Sequence, residues 1–347
     1  MSKVLTLYSN KGGVSKTTTT FNIAAFIAKE KNKKVLIIDA DPQCNITELF
    51  FSSLPEDQTN PDFDLPGTSI LEAFKPRFRG EASKVDITTL NLPSNTLYPN
   101  LYILKGDIEF SAQGEQYFAS SIQQAVTNNV NEKNTYVAFR RLIEDLINQE
   151  KFDYVLIDVG PSSGAITRQA FLSCDFFVIP ITPDRFSYKA ISVLANLYKE
   201  WSNHDRLVMS TLSPFNINIG IKEPKFLGSI NQNFKSFANK IKHSYARWTD
   251  KIKESLVENI MSNDAVPVAS SISGLDEPFV AHIQDLGVIV PISQVLGKAI
   301  YDINQQDSKL ATEDEQIYRG AVWTNWETRM GNYKSQIEHI YSLLEKA

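Results

Sequence analysis

The stretch Ser9-Asn10-Lys11-Gly12-Gly13-Val14-Ser15-Lys16-Thr17-Thr18 directly follows the apolar run Val4-Leu5-Thr6-Leu7-Tyr8. Apolar residues then recur at helical spacing, at Phe21, Ile23, Ala24, Ala25 and Ile27. This order predicts a strand, a glycine turn and a helix. Successive backbone amides in a glycine turn, backed by a helix N-terminus, form a concave anion site. The stretch therefore predicts a site for a nucleoside triphosphate.

The side chains of the turn suit the same chemistry. Lys16 is placed to reach the terminal phosphates, and the Thr17 hydroxyl to ligate Mg²⁺. The ordinary phosphate-loop pattern has glycines where this chain has Asn10 and Ser15. A positive φ at Ser15 would cost about 1 kcal/mol. The alternative is a degenerate loop that no longer binds ATP, but the residues that touch phosphate and metal are intact.

A second lysine, Lys11, precedes Gly12-Gly13, so that the loop resembles the variant Lys-Gly-Gly-x-x-Lys-Thr-Thr loop of the ParA/MinD ATPases. The resemblance implies that Lys11 crosses a dimer interface to the nucleotide of the partner subunit and acts in catalysis with Lys16. It also implies a set of nucleotide contacts along the loop, comprising Gly12, Gly13, Val14, Ser15, Lys16, Thr17 and Thr18.

A second motif follows the apolar run Val35-Leu36-Ile37-Ile38, which is typical of a parallel strand buried on both faces. The run ends in Asp39-Ala40-Asp41-Pro42-Gln43, and open α/β sheets bind their ligands at this end of a strand. By resemblance to the family's Asp-x-Asp-Pro-Gln segment, Asp41 orients the attacking water and Asp39 supports the magnesium shell. The alternative is that Asp41 only caps the next helix. Cys44 stands where relatives usually carry glycine, and we interpret it as a small neutral replacement.

The third motif is Tyr154-Val155-Leu156-Ile157-Asp158-Val159-Gly160-Pro161, a buried strand that ends in an acid and a glycine-proline turn. In this form of nucleotide site, Asp158 holds Mg²⁺ through water and the turn senses the γ-phosphate. The motif is a weak signal alone. It becomes specific because the three motifs follow one another in the order that the family has.

Other segments predict the elements around these motifs. We expect helices at 68–74, 136–147 and 187–201, and strands at 101–104, 176–181 and 207–212. Ser213 and Pro214, at the end of the last of these strands, are candidate contacts for the adenine. The expected fold is a doubly wound, mostly parallel α/β sheet with helices on both faces.

The predicted organisation is a single domain over 1–347, with an insertion at 52–100 and a helical extension at 304–347. The segment 286–303 resembles the one with which the family's core usually closes. A last helix, from Trp323, has Ile337, Ile340, Tyr341 and Leu344 on one face. Membrane-binding helices need a cationic flank, whereas Lys334 and Lys346 are balanced here by Glu338 and Glu345. We therefore expect docking on the core or on a partner subunit, and no membrane.

Composition limits the cellular setting and the function classes. The chain has 347 residues, 42% of them apolar, and two cysteines, Cys44 and Cys174. Two cysteines do not supply a disulfide framework or the ligands of an iron–sulfur carrier. The first strand begins too early for a signal peptide, and no apolar run reaches transmembrane length. We expect a soluble cytoplasmic protein without an N-terminal helix-turn-helix.

Net charge changes sign locally. The chain carries −5, but 222–253 has eight cations against two acids. Lys235, Asn239, Lys242 and His243 fall at helical spacing, with Lys240, Tyr245 and Trp248 nearby. A basic face of this kind can hold a DNA backbone without sequence readout. The alternative is a solvated helix face with no partner.

Together these features predict a ParA-like ATPase that binds Mg-ATP, forms a nucleotide-sandwich homodimer and serves plasmid or chromosome partition. The resemblance implies non-specific DNA binding, through Lys235, Lys240 and Lys242, and a ParB-like protein that stimulates slow hydrolysis. The alternative hypothesis is a ParA-like regulator or positioning adaptor that binds protein partners and not DNA. A MinD-like positioner recruited to membrane ranks third.

Overall fold

The computed structural model describes residues 2–55, 64–234, 236–237, 240–241 and 243–347. Within these ranges, one seven-stranded sheet forms the centre of the molecule. Its strands are β1 (Lys3–Leu7), β2 (Val35–Ala40), β3 (Leu101–Leu104), β4 (Tyr154–Val159), β5 (Phe176–Ile181), β6 (Lys225–Phe234) and β9 (Phe279–Gln284). A separate antiparallel pair is formed by β7 (Ser236–Phe237) and β8 (Lys240–Ile241).

The strand order is β3-β2-β4-β1-β5-β6-β9, and every described pairing in this sheet is parallel. From the central β1 the chain runs to β2 on one side, and after β4 it continues to β5 on the other. Ligands of open α/β sheets bind where the connections diverge in this way, outside the carboxyl ends of the strands. The predicted doubly wound parallel fold is confirmed.

Ten α-helices of the described residues surround the sheet. They are α1 (Lys16–Glu30), α2 (Asn45–Phe51), α3 (Ile70–Phe78), α4 (Phe110–Gln124), α5 (Val130–Glu150), α6 (Ala165–Leu172), α7 (Arg185–Ser210), α8 (His243–Leu256), α9 (Ile289–Leu296) and α10 (Gly320–Lys346). α1 packs against α10, while α6 packs against α4, α5 and α7, and α4 also packs against α5. Because helices cover both faces, β2, β4 and β5 are buried at every position, as their apolar runs predict.

The described part of 52–100 joins the main core. α3 begins at a capping box in which Ser69 and Glu72 satisfy each other's backbone amides. Its Phe74 stacks between Phe110 and Phe139, with ring centroids 5.9 and 5.8 Å away. The predicted helix at 68–74 is confirmed with a shift toward its C-terminus.

The last helix docks on the core through the face that its sequence predicts. Ile337, Ile340 and Leu344 of α10 are fully buried. The Gln336 side chain also accepts a hydrogen bond of 2.7 Å from the backbone amide of His282, on the outer edge of β9. α10 therefore covers an edge strand that could otherwise pair with another chain. No helix in the described ranges is both long and apolar enough to cross a membrane.

The strand predicted at 207–212 is wrong. α7 continues from Arg185 to Ser210, and Ser213–Phe215 form a 3₁₀ turn. Val208, Met209 and Leu212 are buried in a small separate cluster, so an apolar run in a helix was mistaken for a strand. The strand beside β5 is instead β6, which begins at Lys225.

Candidate nucleotide site

The loop between β1 and α1 has the shape of a phosphate cradle. Gly13 has φ 72° and Ser15 has φ 57°, so the chain turns through two left-handed residues before α1. Ser15 therefore adopts the positive φ for which the sequence analysis gives the cost. A Cβ on Gly13 would meet no atom within 4 Å, and one on Gly12 would only touch Pro161 at 4.0 Å. The outer side of the loop is thus open, whereas Val14 is buried and anchors the loop from below.

Helix α1 presents its N-terminus to this loop. The side chain of its N-cap residue, Ser15, makes no capping hydrogen bond, and its first turn contains no acidic residue. Thr17 and Thr18 lie in that turn, so their backbone amides belong to the end of the helix that attracts anions. The loop and the helix N-terminus therefore form one continuous anion-binding surface.

The Lys16 side chain is buried beneath the loop. Its ammonium makes two long hydrogen bonds, each 3.4 Å, to the backbone oxygens of Ser9 and Lys11. Burial lowers the pKa of Lys16, and the carboxylates of Asp158 and Asp41 oppose that shift. A buried cation with such weak partners is suited to bind phosphate oxygens.

Two aspartates lie side by side near the carboxyl ends of neighbouring strands. Asp39 of β2 and Asp158 of β4 are paired in register, and both are fully buried. Asp39 accepts hydrogen bonds from the Thr47 hydroxyl at 2.6 Å and from the backbone amides of Thr47 and Asp41 at 3.2 and 3.1 Å. Burial nevertheless raises the pKa of Asp39 to about 7.

Asp158 differs because, among the described residues, neither of its carboxylate oxygens has a hydrogen-bond partner of good geometry. Burial and the Asp39 carboxylate raise the pKa of Asp158 well above its usual value, while the nearby Thr17 hydroxyl opposes the shift. An unpartnered buried carboxylate beside a threonine hydroxyl fits a divalent cation. Asp39, whose oxygens are already engaged, fits a supporting role.

The described residues contain no group of three or more His, Cys, Asp or Glu side chains arranged to hold a metal. A cation at Thr17 and Asp158 would therefore need other oxygen ligands. This is the usual arrangement for Mg²⁺, which keeps waters and takes phosphate oxygens along with one or two carboxylates.

Asp41 lies between this site and the turn after β4. It is buried, and its Oδ1 accepts a hydrogen bond of 3.0 Å from the Gln43 amide. A Cβ on Gly160 would lie only 3.2 Å from the same oxygen, so the turn packs closely against Asp41.

Cys44 has φ 52°, which explains why glycine suits this position. Burial raises the pKa of the Cys44 thiol to about 12. The thiol is neutral near pH 7, as interpreted from the sequence.

Lys11 lies at the rim of the loop and points to α7 of its own chain. Its ammonium forms an ion pair with Asp184 and donates a hydrogen bond to the Thr182 hydroxyl. The neighbouring surface of α7 is apolar and exposed, since Phe186 is 74% and Val193 is 48% accessible. No local sequence pattern indicates this contact between Lys11 and Asp184.

The predicted adenine contacts, Ser213 and Pro214, need correction. α7 starts just beyond the carboxyl end of β5. The 26 residues of α7 span about 39 Å, whereas the six residues of β5 span only about 20 Å. The chain after α7 returns to the amino end of the sheet, where the Lys225 amide donates to the Asp175 carbonyl. Ser213 and Pro214, both exposed, therefore lie away from the P-loop.

The predicted DNA contacts Lys235 and Lys242 lie outside the described residues, and the structure describes only the backbone of Lys240. The described part of the basic segment includes Arg247 and Lys251, which are exposed on α8. The Lys251 ammonium lies 5.3 Å from the centre of the Trp248 ring. Two other cations of the segment are neutralised, since Lys222 pairs with Asp175 and Lys253 with Glu277.

A family model described as an AAA domain matches residues 2–210. The chain is 27% identical over 185 residues to the virulence plasmid ParA family protein pGP5-D of Chlamydia psittaci, a match covering 53% of this chain and 59% of the relative. It is 26% identical over 228 residues to the sporulation initiation inhibitor protein Soj of Bacillus subtilis, covering 64% and 77%.

Solved structures share the fold. A protein from Corynebacterium diphtheriae has a TM-score of 0.64 at 22% identity, covering 85% of this chain and 97% of that one. An ATP complex of a McdA variant from Cyanothece has a TM-score of 0.63 at 16% identity, covering 100% and 97%. At these identities the likeness is one of fold.

Proposed function

The chain belongs to the ParA/MinD family of ATPases, and on that premise we propose that it is an ATP-driven switch for DNA partition. In this proposal it binds Mg-ATP at the P-loop, dimerises around the nucleotide, holds DNA without sequence preference and hydrolyses ATP slowly. A ParB-like partner protein stimulates hydrolysis and so releases the DNA.

The observation that carries nucleotide binding is the unpartnered, buried carboxylate of Asp158 beside Thr17 and Lys16. Buried polar atoms without hydrogen bonds are costly, so they indicate a site that is completed by a ligand. Lys16 would contact the terminal phosphates from beneath the loop. A magnesium ion held by Thr17 and Asp158 would neutralise phosphate charge during transfer.

Asp41 is the residue that we assign to the attacking water. It is buried at the carboxyl edge of the sheet, and its backbone amide is held by Asp39 at 3.1 Å. Its Oδ1 accepts the Gln43 amide, which fixes the carboxylate, and in this proposal Oδ2 orients the water. Gln43 precedes α2, whose N-cap is Cys44, so this bond is not a cap of that helix, and turnover by an Asp41 variant tests the assignment to water.

Dimerisation is supported by the surface around Lys11. Lys11 stands at the rim of the loop, beside the exposed side chains of Phe186 and Val193. Protein interfaces typically have an apolar core surrounded by a polar rim, and this surface combines both. In the proposed dimer this surface faces the second copy, and Lys11 exchanges Asp184 for the nucleotide of that copy.

DNA binding is supported by charge and by the relatives' role. Arg247 and Lys251 give α8 an exposed basic side, and Trp248 packs near Tyr188 of α7, with ring centroids 6.3 Å apart. One subunit presents few cations, whereas a dimer doubles them on one body and thereby raises the apparent affinity. A relative named as a virulence plasmid ParA protein is consistent with partition.

The decisive experiment is a DNA-binding titration of the Asp41→Ala protein with Mg-ATP at low and moderate salt. We expect binding that needs ATP and weakens by about 0.9 log unit per log unit of salt for each phosphate neutralised. The same protein without nucleotide is the control. An ATP-bound dimer that binds no DNA even at low salt would replace partition with the protein-adaptor hypothesis.

A further inference from the structure

Helix α6 follows directly on the turn after β4 but supplies no cap for its own N-terminus. Its N-cap residue is Gly164, which has no side chain to accept a hydrogen bond. Its first turn contains no acidic residue. The missing acceptor comes from α4. Glu115 accepts the Ala165 amide through Oε1 at 2.5 Å and the Ile166 amide through Oε2 at 3.0 Å.

The contact depends on close approach of the carboxylate to the backbone. A Cβ on Gly164 would lie 2.5 Å from Glu115 Oε1, so a larger residue at this position would displace the carboxylate. α4 itself is fixed, because Phe110 and Phe118 on its inner side are buried in the aromatic core. A carboxylate at a helix N-terminus satisfies two orphan amides and complements the helix dipole.

The residues between β4 and α6 connect this cap to the nucleotide site. At one end, a Cβ on Gly160 would lie 3.2 Å from Asp41 Oδ1, and a Cβ on Gly12 of the phosphate loop would lie 4.0 Å from Pro161. In the middle, the Tyr8 hydroxyl donates to the Ser162 carbonyl at 3.3 Å. At the other end the turn passes into the N-terminus of α6, which Glu115 holds.

We propose that Glu115 is a positioning residue for ATP hydrolysis. By fixing the N-terminus of α6, it sets where the Gly160–Pro161 turn lies relative to Asp41 and the P-loop. This inference rests on the proposed function, and it assigns to α4 a part in the reaction that the sequence motifs do not indicate. Because turnover depends steeply on the placement of catalytic groups, a small shift of the turn reduces the rate more than the affinity.

The test compares Glu115→Gln and Glu115→Ala with the wild-type chain, by steady-state ATP hydrolysis and by calorimetric titration with ATP. The amide of Glu115→Gln keeps one acceptor oxygen, so we expect an intermediate effect for Gln and a larger one for Ala. For Glu115→Ala we expect kcat to fall by about tenfold or more while the Kd for ATP stays within about twofold. Glu109→Gln, with the same charge change at the exposed start of α4, is the matched control.

Hydrogen exchange at Ala165 and Ile166 separates positioning from structural capping. If these amides exchange faster in the Glu115 variants but kcat is unchanged, Glu115 is only a structural cap and the inference is wrong. If Glu115→Ala does not fold, Glu115→Gln carries the same comparison. A wild-type chain that binds ATP but shows no turnover would overturn the proposed function, and this inference with it.

Discussion

The ammonium of Lys11 is paired with the carboxylate of Asp184 in the same chain. Asp184 is also the N-cap of α7, where its Oδ1 accepts the amides of Phe186 and Ser187, both at 2.9 Å. Burial tends to raise the pKa of Asp184, but the bonds from Lys11 and the Ser187 amide outweigh it and lower the pKa. The carboxylate is therefore ionised near neutral pH and holds Lys11. In the proposed dimer this contact has to break first.

Replacing Asp184 by Asn should ease dimerisation. Asn is also a good N-cap, so α7 keeps its start while Lys11 loses its ionic partner. Both side chains are partly exposed, and such pairs contribute little, so the effect is modest. In the Asp41→Ala background, we expect the ATP concentration for half-dimerisation to fall by about two- to fivefold, measured by sedimentation velocity.

The control for this experiment is Lys11→Ala in the same background, which should remain monomeric with ATP. Dimerisation of the Lys11 variant as complete as that of its parent would contradict the proposed role of Lys11. An unchanged half-point for Asp184→Asn would show that the contact does not oppose assembly.

Lys16→Ala should abolish ATP binding, because Lys16 is the buried cation beneath the phosphate cradle. Asp41→Ala should instead bind ATP normally and lose turnover, since Asp41 is assigned to the water and not to the phosphates. Calorimetric titration and phosphate release measure the two effects. Lys29→Ala removes the same charge from the far end of α1 and should change neither. Full ATP affinity in Lys16→Ala would remove the nucleotide assignment.

Ser15→Gly should stabilise the protein without nucleotide. Ser15 has φ 57°, where a residue with a Cβ is strained and glycine is not. The relief, reduced by glycine's greater unfolded-state entropy, gives an expected gain of about 0.5 kcal/mol in the free energy of unfolding. Urea titration measures it. Ser192→Gly, at an exposed position inside α7, should lose about 0.5 kcal/mol, and a loss for Ser15→Gly would count against the strain.

Charge reversal of Lys235, Lys240 and Lys242 to Glu should eliminate DNA binding and leave ATP-driven dimerisation intact. In the described part of the same segment, Arg247→Ala should make DNA affinity less dependent on salt, by the amount that corresponds to about one phosphate contact. Lys253→Gln is the control, because Glu277 already neutralises Lys253 at 2.8 Å. Fluorescence anisotropy at several salt concentrations gives the slopes. Equal slopes for the Arg247 variant and the wild type would exclude that residue from the DNA surface.

Ile340→Ala should destabilise the protein by about 2–5 kcal/mol, because Ile340 is fully buried where α10 meets the core. Val322→Ala removes apolar atoms from an exposed position of the same helix and should cost less than about 0.5 kcal/mol. Thermal and urea unfolding measure both. Equal, small effects would mean that α10 is not part of the cooperative fold.

Short-range sequence patterns predicted much of this structure. The glycine turn, the apolar runs of β1, β2, β4 and β5 and the apolar face of α10 are all short-range patterns, so each was predicted in place. Whether Ser15 takes a left-handed conformation was left open by the sequence, and the structure shows that it does.

Other elements could not be predicted from apolar patterns because they contain buried polar residues. β6 was not predicted because Ser229, Asn231 and Gln232 interrupt its apolar pattern, although all three are buried. The Ser229 hydroxyl donates to the Ile179 carbonyl at 2.6 Å, and the Gln232 amide to the Thr19 hydroxyl at 2.9 Å. Such partners come only from neighbouring strands and helices, so local patterns cannot reveal them.

The sequence by itself indicated the type of site, because the glycine turn with Lys16 and Thr17 has the residue types that bind phosphate and magnesium, and the resemblance to the ParA/MinD ATPases implied the roles of Asp41 and Asp158. Only the tertiary structure decided which groups meet. Asp39 faces Asp158 because β2 and β4 are adjacent in the sheet order. Lys11 reaches Asp184, and Glu115 reaches α6, across long separations in the chain. Contacts between distant segments depend on how helices and strands pack, and a local pattern of residue types does not encode that arrangement.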